Sequence, residues 1–139
     1  MDWERTLARA GRRLTASRRA VMQVLLEAAV PLSPQAIYER ARPLHPPLGL
    51  VTVYRTLDVL VELGLLRRVH RDGGCHGYVL ASPGHSHTIL CRGCGQAVEF
   101  PGGEDLDGLV AQVQQATGFR VEGHLLQLVG LCPACRSPR

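Results

Sequence analysis

The alternation of apolar and polar positions divides the chain into a helical front and a mixed back. Apolar residues recur at helical spacing within residues 2–10, from about 15 to 29, after Ser33-Pro34, and from Thr52 to Gly64. Serine followed by proline is a typical helix start, because the hydroxyl caps the first turn and proline is tolerated there. The pattern therefore predicts four helices before residue 65. The last of them carries its apolar stripe at Val53, Leu57, Leu60 and Val61.

Strand patterns follow the helices. Residues 65–70 and 77–81 flank the tight turn at 71–74, so they predict a β-hairpin. Helices followed by a hairpin are the arrangement of a winged helix, whose last helix enters the DNA major groove. Further strands are predicted at 87–90, 97–100, 119–121 and 124–131, with one helix from Leu106 to about Gly118 packed on the sheet. The predicted fold class is α+β, an N-terminal winged-helix DNA-binding domain followed by a small α/β unit whose sheet edge suits dimerisation.

Charge changes along the chain at the same place as the pattern. Residues 1–72 contain twelve Arg and seven acids, a balance of +5, and residues 73–139 contain four Arg and five acids, a balance of −1. Ser82-Pro83-Gly84 is a plausible hinge at this change. We expect a DNA-binding domain at 1–81, a hinge at 82–84, and a dimerisation and metal-binding domain at 85–139. A basic front half suits a phosphate backbone, although arginines also simply solvate helix surfaces.

Composition limits the class of protein. A chain of 139 residues with 45% hydrophobic content can build real cores. No signal peptide is apparent, and the most apolar run, Val21 to Val30, is too short to span a bilayer. We therefore expect a cytoplasmic protein that does not bind membranes. Thiols stay reduced in that compartment, which favours metal ligation over disulfides.

Four of the five cysteines form two matched Cys-x-x-Cys pairs. They are Cys91, Cys94, Cys132 and Cys135. Thiolate is the soft ligand that zinc prefers, and two intervening residues let both sulfurs of a pair face one ion. A pair of disulfides is the weaker alternative. The spacing predicts one tetrahedral zinc that ties the end of the chain back to residue 91.

Histidines and acids nearby can form a second metal site. His85 and His87 are two residues apart, so on a strand their side chains point to the same face. Together with His124 and an acid they would offer the nitrogen and oxygen ligands that suit Zn, Fe(II) or Mn(II). The candidate acids are Glu104, Asp105 and Asp107. The alternative is a surface strand whose histidines bind nothing.

The helix that begins at Thr52 carries a polar face suited to DNA. Thr52, Arg55 and Val59 share one face, which Tyr54 and Asp58 flank, and the apolar stripe points the other way. Arginine can form two hydrogen bonds with a guanine edge. An ordinary amphipathic helix with polar residues outward would show the same pattern. Both interpretations stay open from this helix alone.

An ordered set of motifs covers nearly the whole chain and consists of residues 10–15 (Ala-Gly-Arg-Arg-Leu-Thr), 52–57 (Thr-Val-Tyr-Arg-Thr-Leu), Leu63-Gly64-Leu65, His85-x-His87, Cys91-Arg-Gly-Cys94-Gly, Val98-Glu99-Phe100, Gly123-His124, Gly130 and Cys132-x-x-Cys135. This set resembles the ferric uptake regulator family of bacterial metal-sensing repressors. The resemblance implies a homodimer that binds a palindromic operator when loaded with metal.

The resemblance also implies roles for individual residues. Tyr54 and Arg55 correspond to the family's major-groove contacts, and Arg13 and Arg18 to basic residues near the DNA backbone or minor groove. The four cysteines match the family's structural zinc. The regulatory set corresponds to His85, His87, Asp107 and His124, since the family's acid falls seventeen residues before His124. One extra residue in the Pro101-Gly102-Gly103 turn leaves Glu104 and Asp105 as alternatives.

The chain departs from the family at a third metal site near the hinge. Family members carry alternate histidines where this chain has Ser86 and Thr88, and a further ligand falls near Pro31, which cannot ligate metal. The hinge site is therefore absent or rebuilt. Asp72, Cys75 and His76, in or beside the wing turn, are the candidates for rebuilding it. An incidental wing thiol at Cys75 is the favoured interpretation.

Four functions compete for these features. A metal-dependent repressor of metal homeostasis genes is expected, with structural zinc and a second divalent metal, zinc being slightly favoured over iron. Metal would favour the closed dimer, whose helices match the operator. A peroxide sensor would need histidines where Ser86 and Thr88 stand. A zinc hydrolase lacks a nucleophile motif and a helical His-Glu-x-x-His, so no enzyme and no small-molecule substrate are expected. A module that binds only protein would not need Tyr54 and Arg55.

Overall fold

A computed structural model describes residues 2–71, 76–81, 86–102 and 106–137. Four helices come first: α1 (Trp3–Arg9), α2 (Ala16–Glu27), α3 (Pro34–Ala41) and α4 (Leu50–Glu62). The Thr15 hydroxyl accepts a hydrogen bond from the Arg18 N–H at the start of α2, and the Ser33 hydroxyl accepts one from the Ala36 N–H at the start of α3. The helix start predicted at Ser33-Pro34 is confirmed. The predicted start of α4 at Thr52 was two residues late, because Gly49 rather than a polar side chain precedes the helix.

The helices enclose the main hydrophobic core. Its fully buried members come from every helix of the front half and include Leu7, Val21, Met22, Ile37, Val53, Leu57 and Leu60. Three positions of the predicted α4 stripe are thus buried, and Thr56 is buried beside them. This core fixes α4 with its opposite face outward.

The wing consists of β1 (Leu66–His70) and β2 (His76–Leu80), which pair antiparallel from Leu66↔Leu80 to His70↔His76. Leu32 adds an isolated bridge to Tyr78, with the two residues exchanging backbone hydrogen bonds of 3.1 and 2.8 Å. A Cβ on Gly77 would lie 2.6 Å from the Pro31 Cβ, so glycine permits this close approach. The predicted winged-helix arrangement is confirmed.

The back half is a three-stranded sheet with two helices. Strands β3 (Ser86–Cys91), β4 (Ala97–Pro101) and β5 (Gln127–Gly130) lie in the order β4-β3-β5. β3 pairs antiparallel with β4 and parallel with β5. Helix α5 (Asp107–Thr117) supplies the crossover that a parallel pair requires, and α6 (Pro133–Arg136) follows β5.

Two strand predictions for the back half were wrong. Residues 119–121 form no strand, and the predicted strand at 124–131 is only Gln127–Gly130. Apolar residues in this segment face solvent, with Phe119 73% and Leu125 fully exposed. Nor does α5 bury any residue within one chain, and Leu109 and Val113 on its apolar face are exposed. The pattern correctly marked apolar surfaces, but a single chain does not cover them.

Several sequence predictions fall outside the described residues. These are the hinge at 82–84, the ligand candidates Asp72, Cys75 and His85, and the alternative acids Glu104 and Asp105. Within the described ranges, no helix is long and apolar enough to cross a membrane.

Candidate functional site

The two Cys-x-x-Cys pairs meet at one end of the sheet. Cys91 ends β3, Cys94 follows in the turn, and Cys132 and Cys135 lie at the start of and within α6. The four sulfurs all lie within 4.8 Å of one another, and the Sγ atoms of Cys94 and Cys132 are 3.9 Å apart. Tetrahedral zinc with bonds of about 2.3 Å separates its ligands by roughly 3.8 Å. The thiols therefore fit a closed, four-coordinate zinc site.

Backbone groups hold the first sulfur in place. The N–H groups of Gly93 and Cys132 each donate to the Cys91 Sγ at 3.3 Å. A Cβ on Gly93 would lie 2.8 Å from the Cys135 Sγ and 2.9 Å from its Cβ, closer than atoms tolerate. A larger residue at position 93 would therefore force Cys135 to shift, so glycine favours the close approach of the two pairs. Sequence reasoning treated Gly93 as a spacer and missed this role.

These contacts separate the acidities of the thiols when no metal is bound. Hydrogen bonds from the backbone N–H of Cys132, and then from those of Cys94 and Gly93, lower the pKa of Cys91 to about 6. The side chains of Cys132 and Cys91 raise the pKa of Cys135 to about 12. At neutral pH the cluster already offers one thiolate, while Cys135 holds its proton. Zinc must displace that proton, because it binds thiolate and not thiol.

Zinc affinity of the cluster is therefore expected to rise with pH. At a pH below the lowered pKa of Cys91, that sulfur is protonated as well. Protons therefore compete with zinc more and more strongly as the pH falls from 7 to 5. We expect zinc released to a chromogenic chelator to increase steadily over this interval. Calorimetric zinc binding in buffers of different ionisation enthalpy should show proton release at pH 7. Affinity that is flat from pH 5 to 8 would contradict thiolate ligation.

A pair of histidines lies apart from the thiols. His87 on β3 is buried, at 5% exposure, and its ring centroid is 5.3 Å from that of His124 and 5.7 Å from that of Phe100. His124 is exposed and precedes β5. Both rings line a cleft of about 620 Å³ that the wing residues Arg67 and His70 also line. The structure thus brings together two of the four predicted regulatory ligands at the boundary between the halves.

The structure describes only one of the other two predicted ligands. Asp107 is exposed as the first residue of α5, and His85 is not among the described residues. In the described ranges, the four thiols are the one group of three or more metal-ligating side chains brought close together. The set of His85, His87, Asp107 and His124 therefore stays a prediction.

Four of the five predicted DNA-contact residues are exposed, and the fifth, Arg18, is half-buried. Thr52, Tyr54 and Arg55 face solvent on the first two turns of α4, opposite the buried stripe. Arg13 and Arg18 are joined by a hydrogen bond from the Arg18 guanidinium to the Arg13 carbonyl oxygen, which orders the loop before α2. Guanidinium and phenol groups at a helix start can reach base edges and phosphates.

Two polar side chains that sequence reasoning missed connect the halves. The Arg67 guanidinium on β1 donates to the hydroxyls of Ser86 and Thr88 on β3. The Gln127 side chain on β5 exchanges two 2.7 Å hydrogen bonds with the His70 backbone. A polar residue in a strand pattern normally indicates a solvent-facing position, so periodicity gave no signal for either contact.

Comparison with known proteins agrees with this arrangement. A family model described as the ferric uptake regulator family matches residues 9–129. The zinc uptake regulation protein of Mycobacterium tuberculosis H37Rv is 33% identical over 131 residues, spanning 94% of this chain and all of the relative. The ferric uptake regulation protein of Campylobacter jejuni is 29% identical over 139 residues, spanning 99% of this chain and 88% of the relative.

A solved structure matches the fold over most of both chains. It is described as a zinc uptake regulator complexed with zinc and DNA, and it superposes with a TM-score of 0.79 at 27% identity, covering 96% of this chain and 90% of that one. Similar identities to zinc and ferric regulators do not resolve the branch. The chain belongs to the ferric uptake regulator family of metal-responsive, DNA-binding transcription regulators.

Proposed function

We propose that the protein is a repressor of metal homeostasis genes that binds a palindromic operator as a metal-loaded homodimer, with zinc as the sensed metal. The observation that carries the proposal is the His87–His124 pair, 5.3 Å apart in a cleft shared with the wing and separate from the four thiols. One metal can then serve the fold while another is sensed. Members of this family are regulators and not enzymes.

The four thiols hold a structural zinc in this proposal. A site with four cysteine ligands leaves no position open for water or substrate, so its contribution is to folding. It clamps α6 to the end of β3, and β5 pairs with β3 directly before it. The zinc therefore supports the strand that carries His87.

The second metal is bound by His85, His87, Asp107 and His124 and acts through the closed form of the dimer. Residues 1–81 bind DNA, 82–84 are the hinge, and 85–139 carry the metals and the dimer contacts. A metal that binds the closed arrangement more tightly shifts the population toward it. His87 and His124 lie in the same cleft as β1, so a metal there is placed to influence the wing.

A second copy of the chain accounts for the uncovered apolar surface of the back half. Its exposed large apolar side chains include Val98, Leu109, Val113, Leu128, Val129 and Leu131. Isolated exposed leucines are common, but a whole domain with this many normally buries them against a partner. Two-fold symmetry would present two copies of α4 to two operator half-sites.

Zinc is favoured because nitrogen and carboxylate ligands from three histidines and one acid can be tetrahedral. Iron(II) is the second candidate, since it accepts the same ligands. A peroxide sensor is less well supported, because the hydroxyls of Ser86 and Thr88 accept hydrogen bonds from Arg67 and offer no imidazole. Metal-dependent DNA affinity with each ion separates these candidates.

The proposal predicts DNA binding that depends on both metal and Arg55. Operators selected from a random duplex pool with zinc-loaded protein should be palindromic, and fluorescence anisotropy should show much weaker binding after the second metal is removed. Replacing Arg55 by Gln should weaken operator binding by roughly 1–3 kcal/mol and relax base preference at one position of each half-site.

The matched control is Arg92→Gln, which removes the same charge from an exposed position between Cys91 and Cys94, away from α4. It should reduce affinity little and leave base preference unchanged. Binding that no metal alters, or equal effects of Arg55→Gln and Arg92→Gln, would sink the proposal. Parallel titrations with Zn(II), Fe(II) and Mn(II) identify the sensed metal.

A further inference from the structure

Arg67 connects the wing to the metal-binding half through three side chains. Its Nη1 donates to the Thr88 hydroxyl at 3.0 Å, and its Nη2 donates to the Ser86 hydroxyl at 2.9 Å. Nη1 also lies 3.7 Å from the Glu99 carboxylate on β4, with both side chains about three-quarters buried. The fork of the guanidinium matches two hydroxyls two residues apart on one face of β3.

A second contact continues the same junction. The Gln127 amide oxygen accepts from the His70 N–H, and its NH₂ donates to the His70 carbonyl, both at 2.7 Å. Gln127 thereby pairs with the end of β1 as a neighbouring strand would. Arg67 and Gln127 together attach one edge of the wing to two strands of the sheet that carries His87.

The next residue along β1 shows that this arrangement belongs to Arg67 specifically. Arg68 points to the other side of the strand and pairs with Asp58 of α4 at 3.5 Å, within the DNA-binding half. That pair is exposed, so it contributes little to stability. Two adjacent arginines of equal charge therefore differ in whether they join the halves.

We propose that Arg67 is a built-in cation that positions the wing against β3 without a metal between them. Guanidinium stays protonated throughout the physiological pH range, so this contact needs no bound metal, and the second metal adds to it by favouring the closed arrangement. A divalent cation at Ser86 and Thr88 would meet this fixed positive charge. The metal response is then left to the site that contains His87 and His124.

The inference deepens the proposed function, and it rests on it only for its regulatory consequence. The contact itself can be measured without DNA. The amide of His70 donates across the junction to Gln127, so its hydrogen exchange reports directly whether wing and sheet are joined. Full-length protein that keeps its four-cysteine zinc would be compared with and without the second metal.

Arg67→Gln is expected to speed His70 amide exchange about tenfold or more in both metal states, since a charge-assisted junction is lost. Arg67→Lys should fall between it and the wild type, because one ammonium cannot serve two hydroxyls and a carboxylate as a fork does. Arg68→Gln should leave the rate unchanged. In the wild type without the second metal, the His70 amide should still exchange more slowly than in Arg67→Gln under the same conditions.

Other results would overturn the inference. One is equal exchange in Arg67→Gln and Arg68→Gln, and another is release of the His70 amide by metal removal alone to the extent seen in Arg67→Gln. Amides of α4 serve as the folding reference. If the α4 amides lose their protection in Arg67→Gln, the Arg67→Lys variant is used instead. Exchange of the His70 amide at the wild-type rate in Arg67→Lys would then refute the positioning role of Arg67.

DNA binding by the same samples separates this inference from the proposed function. Predicted exchange rates without metal-dependent DNA binding would leave the contact standing and refute the repressor. Metal-dependent DNA binding with no effect of Arg67→Gln on His70 exchange would support the repressor and refute the Arg67 contact. With both intact, Arg67→Gln should weaken operator binding more than the charge-matched Arg68→Gln.

Discussion

Replacing Cys132 by serine is expected to release the structural zinc and to unfold the back half while the front half stays folded. The back half has almost no core of its own: within residues 86–102 and 106–137, which the structure describes, the buried side chains are His87, Thr88, Leu90 and Cys91, all on β3. Structural zinc contributes on the order of 10 kcal/mol to folding in small zinc domains, more than so few buried side chains provide. The helical front keeps a separate core and has no part in the cluster.

Zinc content per chain and amide exchange resolved along the sequence would measure this result. Cys132→Ser should bind no zinc at the thiols and lose protection in β3 and β5, with α2 and α4 still protected. Cys75→Ser is the matched control, because it removes the one cysteine outside the two pairs. A folded back half in zinc-free Cys132→Ser would show that packing alone suffices.

The front half was predictable because its elements are local. Capping hydroxyls at Thr15 and Ser33 fix where helices begin, and the α4 stripe at Val53, Leu57 and Leu60 is buried as its spacing requires. The hairpin follows from the turn between its strands. Short-range signals of this kind do not depend on knowing what packs against the element.

The thiol cluster was predictable for a different reason. Cysteine spacing encodes coordination geometry, and the four sulfurs meet as that spacing requires. The backbone requirement at Gly93 was not predictable in the same way, because the constraint comes from Cys135, more than forty residues away. A small residue inside the first pair was the only available signal.

The back half exposed the limit of periodicity. Phe119 and Leu125 are apolar, so the pattern extended strands through them, yet both are exposed in one chain. Apolar periodicity marks surface that will be covered without saying whether the cover is the same chain or another. For the same reason the pattern predicted that α5 packs on the sheet, although none of the residues of α5 is buried in one chain.

Polar contacts between the halves were beyond sequence reasoning. Arg67 and Arg68 are identical neighbours on one strand, and only the three-dimensional arrangement distinguishes the one that reaches Ser86 from the one that pairs with Asp58. The sequence did identify Ser86 and Thr88 as departures from the family pattern. The structure adds that their hydroxyls accept hydrogen bonds from the Arg67 guanidinium. The two positions where family members carry histidines therefore contact a fixed cation in this chain.

Replacing His124 by alanine is expected to abolish the metal response of DNA binding while the structural zinc remains. Its ring is 5.3 Å from that of His87, so its loss removes an imidazole that could share a metal with His87. Typical coupling between an effector and a second ligand changes affinity by about 5- to 150-fold. Wild-type protein should show a change in operator affinity of this order on loading the second metal, and His124→Ala should bind equally with and without metal, within about twofold.

Metal content identifies the cause of this loss. His124→Ala should retain one tightly held zinc and lose the second metal, and His87→Ala should do the same. His45→Ala removes an imidazole from the loop after α3, outside the back half, and should keep both metals and the full response. Loss of all metal from His124→Ala would mean that the structural site is misassigned. A full metal response in that variant would instead place the sensor elsewhere, because a metal that has lost one of its ligands can no longer bind the closed arrangement so much more tightly than the open one.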